Sequence, residues 1–216
     1  MKTLTESQDL TYSDETYVLS KEFPAKDSKE GSALVHVLNR ELETLYSGGI
    51  LPELFTTESP VTSYSFHLTT YIGNNGNSVS IWKVYLHTDK YSLMLHIEDS
   101  TEKVVLLSCL PQPTGNDSSN PPAPEEFLAD MSVPPEKLSE LWAKYLELEI
   151  DTDIVVHTEG QESGEKADYH GLTGDYAYTD HETTIAYAIA YYGSYGGFLI
   201  TPTPYDPVSR MPAEEH

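Results

Sequence analysis

The sequence predicts an α+β fold in which helices precede antiparallel meander sheets, and three observations carry that expectation. An apolar stripe of helical period ends at Ser47, and a strictly alternating stretch from Val79 to Ile97 reads as a hairpin. After a proline-rich interval, a second helix is again followed by strand patterns. Composition divides the 216 residues into a polar opening (1–27), a helix plus four-stranded meander (28–109) and a proline-rich linker or loop (110–131). A helix with antiparallel strands (132–201) and a tail (202–216) complete the chain.

In the opening segment, Tyr17-Val18-Leu19 suggests a short strand that ties the terminus to a sheet. The first helix begins at Ser28 or Ser32, either of which suits an N-cap, and places Leu34, Val37, Leu38, Leu42 and Leu45 on one face. Gly48-Gly49 ends it, with Gly48 the expected left-handed residue. Val61 to Ile72 alternates as a strand, and a glycine and asparagine-rich loop leads into the hairpin. Pairing Thr88 with Tyr91 sets Leu86 opposite Leu93, Val84 opposite Leu95 and Trp82 opposite Ile97, so one face is wholly apolar. A slip of one residue would drive Lys83 and His96 into the core, which pins this register. Asp89-Lys90 is not a favoured hairpin turn, so a longer loop is also compatible with the pattern. Lys103 to Cys109 supplies the fourth strand.

Beyond the prolines, Leu138, Leu141, Trp142, Tyr145 and Leu148 form the stripe of a helix with prolines in its first turn. Strands are expected over 152–157, 175–179, 183–192 and 197–201. The third is rich in alanine and has helical propensity, but turn residues on both sides favour a meander. Each half thus has one helix followed by four strands, without a shared residue motif. The two sheets either stand apart or merge with both helices on one face; linker composition favours two units.

Charge excludes some partners. Twelve basic residues face 35 acids, a net charge of −23, and the interval from Glu125 to Glu182 alone carries 16 acids against 3 lysines. Such a field repels nucleic acid backbones and anionic membranes, so direct nucleic acid binding is not expected. The reading of this acidity is a solvated face, with a nucleic-acid-mimicking inhibitor as an alternative. Cys109 stands alone and ends an apolar run, which suits a buried small hydrophobe. No stretch is long and apolar enough for a membrane helix. The polar opening is compatible with the soluble ectodomain of a bacterial surface protein or lipoprotein, with a cytoplasmic location as the alternative.

No metal-ligand spacing, phosphate-cradling glycine loop or nucleophile elbow occurs, and no cofactor is expected. Two groups of residues remain as candidates. Lys83, Tyr85, His87 and His96, with His67 of the preceding strand, line the polar side of the first sheet; an open groove there would bind a small ligand or support hydrolysis by a histidine base. Tyr176, Tyr178, Tyr187 and Tyr191 of the second meander form a candidate protein-contact surface, since tyrosine combines a large apolar ring with a polar tip. The resulting expectation is a non-enzymatic protein-interaction domain with an unknown protein partner.

Overall fold

A computed structural model describes residues 17–23, 29–58, 61–73, 76–112, 137–151, 173–179, 184–192 and 197–203. They form an α+β fold with two helices, α1 (Lys29–Ser47) and α2 (Leu138–Leu146). The strands are β1 (Tyr17–Phe23), β2 (Ser63–Ile72), β3 (Ser78–His87), β4 (Tyr91–Glu98), β5 (Val104–Pro111), β6 (Glu149–Asp151), β7 (Thr173–Thr179), β8 (Thr184–Tyr192) and β9 (Gly197–Thr203). All pair antiparallel in one sheet of order β1-β2-β3-β4-β5-β9-β8-β7-β6.

Of the two arrangements open to the sequence, separate sheets or a merged one, this order is the merged one, although linker composition favours two units. Each meander runs with its last strand toward the middle, and the last strands, β5 and β9, meet there through Leu107–Ile200, Ser108–Leu199 and Cys109–Phe198. Two separate sheets would leave those edges with unpaired amides and carbonyls, which the shared seam satisfies. Gly197 makes the close approach feasible, because a Cβ there would lie 2.7 Å from the Cys109 carbonyl oxygen.

Residues directly opposite one another in an antiparallel pair share a face. A single buried row therefore crosses both halves: Phe66, Val84, Leu95, Leu107, Ile200 and Ile189. The next row runs through Leu86, Leu93, Cys109 and Phe198. Helix α1 joins the same core through Leu34, Leu38, Leu42 and Leu45, and α2 through Leu138, Trp142, Tyr145 and Leu146. Trp142 meets Tyr187 of β8 edge to face, and Tyr145 reaches Glu41 of α1. Both helices thus lie against one side of the sheet.

The hairpin register is the expected one at every pair from Trp82–Ile97 to His87–Ser92. Its turn is tight despite the unfavoured Asp89-Lys90, because the Thr88 hydroxyl accepts hydrogen bonds from the amides of Lys90 and Tyr91 at 3.1 and 2.8 Å. At the end of α1 the left-handed residue is Gly49, with φ 80°, rather than Gly48. Gly48 continues the last turn by donating its amide to the Thr44 carbonyl. Helix α2 is shorter than its stripe suggests and closes at Glu147, a non-glycine residue in the left-handed region at φ 59°. Leu148 is nonetheless buried, because its amide folds back onto the Ala143 carbonyl. The alanine-rich segment is strand β8, held between β7 and β9. The strand expected over 152–157 lies outside the described residues, directly after β6.

Candidate functional site

The side of the sheet away from α1 and α2 carries the polar positions of β2, β3 and β4. Period-two alternation puts them there once the apolar rows face the helices. Across three strands the register aligns His67, Lys83 and His96, continuing to Leu106 on β5. The adjacent row holds Ser65, Tyr85, Met94 and Ser108, and the one beyond it His87 and Ser92. All five sequence candidates on this side, His67, Lys83, Tyr85, His87 and His96, are therefore brought onto one face, and each is half-buried. Toward the other end the face closes: Thr69, Ile81 and Glu98, aligned in register, are buried.

His67 meets the Tyr85 ring edge to face at 5.9 Å between centroids, and the Lys83 ammonium lies 6.0 Å from the centre of the Tyr71 ring. That distance is the outer limit of a cation–π contact. Among the described residues no carboxylate forms an ion pair with Lys83, whereas Arg40 pairs with Glu41 and Glu102. His96, directly opposite Lys83, titrates near 4. Burial disfavours its charged form first, and the neighbouring ammonium adds to that. His96 is thus neutral at physiological pH, and Lys83 supplies the fixed charge of the row.

His87 Nδ1 lies 3.2 Å from Ser92 Oγ and 3.1 Å from Gln112 Nε2. The Gln112 Nε2 group can only donate, so Nδ1 is the acceptor and the ring proton sits on Nε2. A serine beside a histidine acceptor has the first two parts of a nucleophilic triad. Among the described residues, however, no carboxylate bonds to Nε2 to orient the ring for proton transfer. Nor does any group of three or more histidine, cysteine, aspartate or glutamate side chains among them have an arrangement fit for a metal ion.

The tyrosine surface needs correction at one residue. Tyr187 is 1% exposed and packs on Trp142, so it belongs to the core. The register sets Tyr176 opposite Tyr187, Tyr178 opposite Ile185, and Tyr191 opposite Phe198; the side chains of Tyr176, Tyr178 and Tyr191 lie outside the described residues.

The most highly organised polar cluster escaped the sequence reading. Glu41, 3% exposed, accepts the Tyr145 hydroxyl proton at 2.6 Å and pairs with Arg40 Nε at 2.9 Å. The Tyr145 oxygen in turn accepts the Val104 amide at 2.8 Å, and the Lys103 ammonium stands 4.9 Å above its ring. One signal was available: Glu41 falls three residues after Leu38 on the apolar stripe, and a carboxylate there demands a partner. Each of these groups is engaged with another, which marks a structural junction between α1, α2 and β5.

Comparison with protein-family models, curated proteins and solved structures finds no match to this chain. Among the described residues no helix is long and apolar enough to cross a membrane.

Proposed function

We propose that this protein is a non-enzymatic recognition domain that acts by protein contact, and that its contact surface is the sheet face opposite the two helices. The observation that supports this reading is the one-sided placement of α1 and α2, so that neither of these two helices covers the half-exposed rings and the lysine on β2 to β4. Aromatic rings and long cationic side chains on a rigid sheet contribute contact area at small entropic cost. The His87–Ser92 pair, lacking an orienting acid among the described residues, favours recognition over hydrolysis.

Site-specific photo-crosslinking distinguishes this surface from the outer side of α1. The full chain carrying p-benzoylphenylalanine at position 85, or at the exposed position 36 of α1, is irradiated in extract from its own cell. A discrete adduct at position 85 that is absent at position 36 is expected. Adducts only at position 36, or none at 85, would remove the sheet face as the contact surface.

A further inference from the structure

We infer that the row His67–Lys83–His96 is a binding site for a small organic monocarboxylate, whose charged end rests on Lys83 and whose apolar body lies along Tyr85 and Met94. The inference rests on the sheet face being accessible, as the contact reading does, and goes beyond it in naming a small ligand.

Four observations converge. Lys83 stands between two histidines in register, on a face where no described carboxylate pairs with it. A half-buried ammonium gains from a counter-ion, and the Tyr71 ring at 6.0 Å is a weak substitute for one. Glu22 of β1 stands opposite His67 in register, one strand beyond the lysine, and Glu98 is turned into its own loop, where it accepts hydrogen bonds from Ser100 and Thr101. Glu98 is thereby engaged away from Lys83.

The charge class follows from Lys83 and from His96, set directly opposite it in register. His96 is neutral well above its midpoint near 4, so it serves as a hydrogen-bond donor beside one fixed positive charge. One ammonium with a neutral imidazole neighbour matches a single negative charge better than a dianion. The net charge of −23 works in the same direction, since it repels acidic peptides and nucleic acids at long range but costs little for one small anion. The next row, with Tyr85 and Met94 side by side, offers the ring and thioether surface that suits an apolar body.

The test uses the full chain with sodium phenylacetate as probe, phenylacetamide as its uncharged isostere and inorganic phosphate as the competing anion. His96 imidazole resonances are followed by NMR across pH. Phenylacetate is expected to shift them saturably and to raise the His96 midpoint from about 4 by about 1 unit or more, as an opposite charge within reach of a histidine does. Lys83→Met should abolish the saturable shift, and Lys83→Arg should retain it; amide spectra establish that both variants are folded. Equal response to phenylacetamide, a response to phosphate alone, or no response to phenylacetate overturns the site. So does an undiminished response in Lys83→Met. Any of these with crosslinking at position 85 intact leaves the contact surface standing, whereas binding of phenylacetate without a protein adduct supports the anion site and removes the partner.

Discussion

Replacing Tyr145 by phenylalanine removes one oxygen from a junction that joins both halves of the protein. That oxygen donates to Glu41 Oε2 at 2.6 Å and accepts the Val104 amide at 2.8 Å. A hydrogen bond to a charged group contributes about 1.5–3 kcal/mol, and a buried amide left without an acceptor costs about 1–3 kcal/mol. Because one hydroxyl serves both, the losses overlap, and we expect about 3 kcal/mol in total. That is a large part of the roughly 5–15 kcal/mol that holds an ordinary domain folded. Equilibrium unfolding in urea should show a lower midpoint with an unchanged slope, whereas Tyr46→Phe at the exposed end of α1 should stay within about 0.5 kcal/mol. In a Glu41→Gln background the cost should shrink by about 1–2 kcal/mol, since the acceptor is then neutral. Burial, then the Glu41 charge, holds the Tyr145 hydroxyl far above its ordinary titration range. Its folded value is raised, so its contribution is complete below about pH 10 and is lost as pH rises beyond that; Tyr145→Phe should flatten this alkaline loss. A cost below about 1 kcal/mol, or no coupling to Glu41, would refute the role assigned to this hydroxyl.

Two further outcomes are expected. His96 has a folded value near 4, depressed from 6.5, so its contribution is complete above 6.5 and is lost as pH falls toward 4. The wild type should lose on the order of 2 kcal/mol more over that interval than His96→Gln, after allowance for solvent screening, and parallel pH profiles would contradict the assignment. Gly197→Ala would set a Cβ 2.7 Å from the Cys109 carbonyl oxygen and 2.8 Å from Leu110 Cδ2, which should cost about 1–3 kcal/mol. Hydrogen exchange should rise at the β5–β9 seam before it rises in the β3–β4 hairpin, and unchanged exchange at the seam would refute the close approach.

Legibility in the sequence followed the range of the interactions. The β3–β4 register could be read in full, because each apolar residue from Trp82 to Leu95 is tied to its opposite by alternation alone. For the same reason His67, Lys83, Tyr85, His87 and His96 could be placed on one face. Gln112 could not be joined to His87, since the two positions, 25 apart in sequence, meet only when β5 pairs with β4. Tyr187 shares its side of β8 with Ile185 and Ile189, so alternation ties the three together, but only the docking of Trp142 shows that this side is core.

By itself, then, the sequence determined the α+β class, the apolar face of α1 and the two faces of the hairpin, because helical and strand periods sort side chains within a few residues. Only the tertiary structure decided that β5 and β9 join the meanders into one sheet and that both helices share one side of it. It also decided that Glu41, Tyr145 and Val104 meet. Those outcomes depend on which distant edge or donor satisfies a buried polar group, and local spacing carries no record of that choice.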